Sequence, residues 1–160
     1  MRADEAMEQI AVCETVYRYA LGIDTRDWTL YRSIFADEVD IDFSSYDGRP
    51  ASRMQADDWV AQVRPLFTGL AATQHSMSNP IVTVSGDRAT CQMYMQAAHA
   101  LDHGDDDNWF TIGGYYDDRL VRFHGRWRID AVTLTVLWRR GRDAIMAIAS
   151  ERGAAILRGA

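Results

Sequence analysis

At 160 residues, with 48% hydrophobic and 25% charged side chains, the chain has an ordinary globular composition and enough length to bury one sizeable core. A net charge of -6, scattered arginines without lysine, and a densest charge run that is acidic (Asp105-Asp106-Asp107) exclude a nucleic-acid-binding surface. No stretch approaches the roughly 18 apolar residues of a membrane span, and the start Met1-Arg2-Ala3-Asp4-Glu5 lacks the apolar core of a secretion signal, so a cytoplasmic protein without membrane contact is expected.

Ala6, Ile10, Cys13, Val16, Tyr17, Ala20 and Leu21 recur at spacings of three and four, which predicts a one-sided helix over residues 4–23. Asp27 supplies an N-cap for a second helix, Trp28 to Phe35. Val39-Asp40-Ile41-Asp42-Phe43 alternates as a half-buried strand, and Asp47-Gly48 marks a turn. A helix starting at Ser52 carries Trp59, Val60, Val63, Leu66 and Phe67, with Pro65 ending or kinking it.

From Ala71 onward the pattern is that of strands. Thr73 to Val84 runs to the turn Ser85-Gly86-Asp87, with Pro80 as a candidate bulge. Arg88 to Leu101 puts Ala89, Cys91, Met93, Met95, Ala97, His99 and Leu101 on one face. A polar, acidic loop covers Asp102 to Asn108. Two long strands, Trp109 to Phe123 and Trp127 to Trp138, then flank the turn His124-Gly125-Arg126. The last strand reads as apolar on both faces, Ile129, Ala131 and Leu137 on one and Val132, Leu134, Val136 and Trp138 on the other. That predicts burial on both sides and hence self-association. Asp143 to Leu157 closes the chain as a helix. Helices followed by an antiparallel sheet give an α+β fold. We read one domain over 1–160, with a core of about 6–138 and a C-terminal helical extension over 140–160. Cys13 and Cys91 have no metal-binding spacing and are expected as buried free thiols.

Two residues stand in settings that carry chemistry. Asp24 closes the first helix, and His75 lies at the start of a strand in Thr73-Gln74-His75-Ser76. A carboxylate that holds an imidazole in one tautomer makes a general base near neutral pH. The plainer readings are a solvated carboxylate at a helix end, mildly unfavourable against the helix dipole, and a histidine satisfied in the core. His99 shares its face with Met93, Met95 and Ala97, where a neutral imidazole donates a hydrogen bond to a carbonyl or departing oxygen. Its plainer reading is a buried histidine bonded to backbone. Tyr46, Tyr94, Tyr115 and Tyr116 supply phenol donors, and only one of the adjacent pair can face a pocket. His103 and Asp105 to Asp107 lack ordered ligand spacing, so no metal is expected. There is no nucleophile elbow and no phosphate loop, and no cofactor is expected.

The run from Tyr19 to Trp28 reads Tyr-x-x-x-x-Asp-x-x-Asp-Trp. With Phe35-Ala36-Asp37-Glu38-Val39, Thr73-Gln74-His75, Gly86-Asp87-Arg88-Ala89 and Gly125-Arg126-Trp127-Arg128-Ile129, it resembles the SnoaL-like branch of the nuclear transport factor 2-like superfamily. Within that branch the chain is most similar to scytalone dehydratase and hexachlorocyclohexane dehydrochlorinase. The resemblance implies a cone-shaped barrel of curved antiparallel sheet packed on the N-terminal helices, plus a C-terminal helix. It also implies that Asp24 orients His75 as a base removing a proton from carbon, with His99 as a second active-site histidine. The chain departs from both enzymes around that base. Ile23 and Phe43 stand where the dehydratase has tyrosines. Tyr19 and Val132 stand where the dehydrochlorinase has a lysine and an arginine.

The expected activity is therefore that of a cofactor-independent lyase or isomerase, with dehydratase-like elimination first. Its substrate would be a small hydrophobic, cyclic molecule contacted by Tyr19, Trp28, Phe43, Met93, Met95 and Tyr115. Such a protein would be a homodimer or homotrimer. The alternatives are a non-catalytic ligand-binding or accessory subunit of the same fold, and a polyketide-type cyclase.

Overall fold

The computed structural model describes residues 3–103 and 106–159; Gly104 and Asp105 of the expected acidic loop, and Met1 and Arg2, lie outside them. Helix α1 (Ala3–Thr25) buries Val12, Val16, Tyr19 and Ile23, one stripe along its length. That stripe is rotated from the expected one: Ile10, Tyr17 and Leu21 face solvent. Asp27 caps α2 (Trp28–Ser33), its Oδ1 accepting from the Leu30 N–H at 2.9 Å. The helix stops short of Phe35, because Phe35 opens β1 (Phe35–Asp42) and pairs with Ile129.

After a single turn, α3 (Ser44–Asp47), the helix expected from Ser52 begins later. Residues Ser52–Gln55 form β2 at the sheet edge, where Arg53 hydrogen-bonds Glu38 and Asp40 on β1. Helix α4 (Ala56–Gly69) then starts with Asp57 and Asp58 in its first turn, a favourable placement against the helix dipole. It runs through Pro65 rather than ending there.

The four long strands are β3 (Ala72–Ser85), β4 (Arg88–Ala100), β5 (Trp109–Phe123) and β6 (Arg126–Gly141). They complete a curved, unclosed six-stranded sheet of order β2-β1-β6-β5-β4-β3, antiparallel except where β1 meets β6. The register of β3 shifts between Ser78 and Ile81, where Asn79 takes a φ of 54° before Pro80. The fold is α+β, with α1, α2 and α4 against the sheet and α5 (Ala144–Leu157) packed on α4.

The last strand differs from its pattern. Register shifts in the β5–β6 pairing lie opposite Asp130 and Leu137 and change the parity of β6 twice. Trp127, Ile129, Val132, Leu134 and Val136 therefore belong to a single inner face, packed into the core. Leu137 and Trp138 are exposed, so β6 is not buried on both sides.

Helices α4 and α5 meet backbone to backbone. A Cβ on Gly69 would lie 1.8 Å from the Ala149 carbonyl oxygen, and one on Gly153 would lie 1.8 Å from that of Pro65. Only glycine fits at either point, and the contact fixes α5 across the end of the sheet.

Candidate active site

The end of α1 and the outermost strand β3 bring Asp24 and His75 together. Asp24 Oδ1 lies 2.7 Å from His75 Nδ1, and Oδ2 accepts the His75 backbone N–H at 2.7 Å. A carboxylate accepts only, so Nδ1 carries a proton, and in the neutral ring Nε2 is the nitrogen left as acceptor. The His75 side chain is 4% exposed and that of Asp24 20%.

Arg26 holds the turn that carries Asp24. It sits in the left-handed region at φ 58°, and its guanidinium donates to the carbonyl oxygens of Asp24, Phe67 and Leu70, each at 2.9 Å. The end of α1 is thereby tied to the end of α4. The unsatisfied carbonyls at both helix ends find a cationic donor there.

His75 faces a cavity of about 410 Å³ enclosed by the sheet, α1, α4 and α5. Its deep wall holds Tyr19, Ile23, Phe67, Ala97, His99 and Tyr116. The exposed Arg49, Gln62 and Ser150 stand at its mouth. A larger surface groove of about 680 Å³, between α1, α2 and the β5–β6 hairpin, contains none of these groups and is crossed by the Arg122–Glu8 ion pair. The buried carboxylate–imidazole pair makes the smaller cavity the chemical one.

His99 lies beside His75, ring centroids 5.9 Å apart. Its Nδ1 is 3.1 Å from the Phe110 carbonyl oxygen, which can only accept, so Nδ1 donates and Nε2 is an acceptor. Burial first, and then the nearby His75, push its pKa down to about 4, so the ring is neutral near pH 7. The expected donor is thus an acceptor, suited to a ligand hydroxyl.

The other sequence candidates fall in four places. Tyr19 and Phe43 line the cavity. Met93 and Met95 share the inner face of β4 but are buried in the core away from the cavity wall, and Trp28 packs edge-on against Tyr31 outside it. Tyr115 points to the outer face, and the cavity receives Tyr116. The period-two pattern of β5 carries that signal, since Phe110, Ile112, Tyr116 and Leu120 share one parity and one buried face. Asp118 obscures it, being an aspartate on the same buried face, 3% exposed, with Oδ1 lacking a hydrogen-bond partner. Burial, and then Asp117, raise its carboxyl pKa well above the usual range, which favours the neutral acid.

Trp59 and Met146 line the cavity, and neither was remarked in the sequence as a site component. Trp59 Nε1 donates to the Tyr31 hydroxyl at 3.1 Å, and α5 brings Met146 to the cavity wall. Cys13 and Cys91 are both free thiols, with Cys91 fully buried. Among the described residues, no helix is long and apolar enough to cross a membrane.

Comparison with known proteins places this geometry. A family model for a SnoaL-like domain matches residues 4–133. The dehydratase cfoI of Aspergillus candidus is 29% identical over 147 residues, covering 84% of this chain and 85% of the relative. The crystal structure of the Kfla4162 protein from Kribbella flavida has a TM-score of 0.83 and 30% identity, over 90% of this chain and 99% of that one. A type 2 hexachlorocyclohexane dehydrochlorinase (LinA) shares the fold at a TM-score of 0.69 and 19% identity, over 86% and 90% of the two chains.

Proposed function

The chain belongs to the SnoaL-like family, and from that premise we propose that it is a cofactor-independent dehydratase acting on a small cyclic hydroxy ketone. The observation that carries the reading is the contact of Asp24 with His75 Nδ1, which leaves Nε2 for a ligand in the wall of a largely apolar cavity. The dehydratase relative, which spans most of this chain, supports the reaction class.

In the proposed reaction His75 Nε2 takes a proton from the carbon next to a ring carbonyl, and the electron pair passes into an enolate. Asp24 keeps the ring in the productive tautomer and balances the imidazolium charge. The enolate collapses, the bond from the β-carbon to its hydroxyl breaks, and the departing hydroxide takes the proton back from His75. Enone and water are the products, and His75 returns to its starting state. His99 Nε2 accepts from the substrate hydroxyl before it leaves. The exposed apolar residues Ile81, Tyr94, Leu137 and Trp138 on the outer sheet face fit a homodimer or homotrimer.

The test is a panel of cyclic β-hydroxy ketones, followed by ultraviolet absorbance of the enone. His75→Ala and Asp24→Asn should each lower turnover by roughly 10²–10⁴-fold. Turnover at the wild-type rate in either variant would remove the mechanism. The Asn variant should also move the ring proton from Nδ1 to Nε2, visible in the nitrogen chemical shifts of His75.

A further inference from the structure

The groove of about 680 Å³ between α1, α2 and the β5–β6 hairpin takes no part in the proposed reaction and shares no lining residue with the cavity of His75. Strand β1 begins its pairing with β6 at Phe35 and Ile129. Residues 126–128 of β6 therefore have no strand beside them on that side, and they border the groove. Four arginines and two glutamates line it. Glu8 accepts from Arg122 and from the Trp127 indole, and Glu14 pairs with Arg18. Arg126 and Arg128 are left over. Among the described residues, neither guanidinium has a hydrogen bond or an ion pair.

That isolation is unusual in this chain. Its other partly covered arginines are matched: Arg32 with Asp57, Arg122 with Glu8, and Arg26 with three carbonyl oxygens. Arg128 is half-buried. Burial first, and then Arg126 and Arg32, pull its pKa below the ordinary arginine value, with Asp37 acting against them. An arginine keeps its charge in such surroundings. A guanidinium taken partly out of water beside two like charges, with its donors unused, is costly until an anion meets it. Its fork of N–H donors matches the oxygens of a phosphate or carboxylate. The rest of the groove is apolar, with Met7, Leu30, Ile34 and Trp127 along it.

We propose that this groove is a second ligand site, and that it takes a phosphate monoester carrying a short apolar body. The phosphate sits between Arg126 and Arg128, and the apolar body lies against Leu30, Ile34 and Trp127. Two uncompensated guanidinia match the dianion that a phosphate monoester forms above pH 7. A carboxylate would leave one of the two charges unmatched. Glu8 and Glu14 stay with Arg122 and Arg18, so the ligand displaces no ion pair. The site does not depend on the dehydratase reading, and its failure would leave that reading intact.

The experiment titrates hexyl phosphate into the protein at pH 7.5 and follows the Trp127 indole N–H and the His75 ring by NMR. The Trp127 resonance should move to saturation while the His75 ring stays in place. Hexan-1-ol lacks the charge and inorganic phosphate lacks the apolar body, so each should bind at least about 10-fold more weakly. The double variant Arg126→Gln, Arg128→Gln should weaken hexyl phosphate by roughly 10–100-fold, the range of hydrogen bonds to a charged group. The double variant Arg140→Gln, Arg142→Gln removes the same charge from exposed positions at the far end of β6. It should leave the affinity within about twofold. An equal loss in both double variants would reduce the effect to general attraction and overturns the proposal. So does hexan-1-ol, inorganic phosphate or hexanoate binding as tightly as hexyl phosphate. Movement of the His75 ring alone would put the ligand in the central cavity, and that result, like the absence of saturable binding, also overturns it.

Discussion

His99 ties the stability of the fold to pH through a single buried ring. Its pKa falls from an ordinary 6.5 to about 4 in the folded protein, so the unfolded chain binds a proton in a window where the folded one does not. The resulting stability is complete above pH 6.5, is lost as pH falls toward 4, and changes no further below that. A difference of roughly 2.5 pH units corresponds to about 3 kcal/mol. A non-titrating partner for the Phe110 carbonyl isolates the effect. His99→Asn keeps an N–H donor, and Asp24 and His75, which also act on His99, are present in both proteins. Urea unfolding of wild type and variant at pH 7.5, 6.5, 5.5 and 4.5 gives the difference in unfolding free energy. The advantage of the wild type should shrink by about 3 kcal/mol between the ends of that series. A difference that stays flat to within about 1 kcal/mol would refute a neutral, desolvated His99.

Asp118 should show the opposite slope. Its raised carboxyl pKa favours the fold at low pH and opposes it as pH rises, by up to about 1.4 kcal/mol per pH unit above the ordinary range. Asp118→Asn should therefore gain in melting temperature over wild type between pH 5 and pH 8, as read by thermal denaturation. Gly69→Ala would put a methyl 1.8 Å from the Ala149 carbonyl oxygen. The helices must part, and a loss of about 1–3 kcal/mol is expected in urea unfolding. Arg26→Ala removes three hydrogen bonds from a charged donor and should destabilise by about 2–4 kcal/mol. It should also broaden the His75 ring resonances, because the turn bearing Asp24 loses its anchor.

What the sequence made legible depended on how local its cause is. The Asp27 cap is decided by the few residues around it, and the long strands by simple alternation, and both can be read directly. The start of α4 is a contest between local helix signals and cross-strand bonds from Arg53 to Glu38 and Asp40, which no local pattern contains. The inner face of β6 was hidden by register shifts that change parity at Asp130 and Leu137. Asp24 and His75 were visible as residue types in suggestive settings, but their approach depends on α1 lying beside the outermost strand. Tyr116 was masked by Asp118, a polar residue at a core position, and Arg26 by the distance in sequence to the Phe67 and Leu70 carbonyls it serves.

The position of His75 on an edge strand has a consequence for how this site can change over time. The backbone N–H of His75 points away from β4, and Asp24 accepts it. One carboxylate oxygen therefore closes an open sheet edge, where an unpaired N–H invites strand addition from another chain. The other oxygen holds the imidazole. A descendant that lost the reaction would still need an acceptor at residue 24 to guard that edge. Persistence of the aspartate is therefore weak evidence of chemistry, whereas replacement of His75 costs the edge nothing, since its backbone N–H stays. Under the proposed mechanism, the histidine is the residue whose loss among related chains would mark the loss of the reaction.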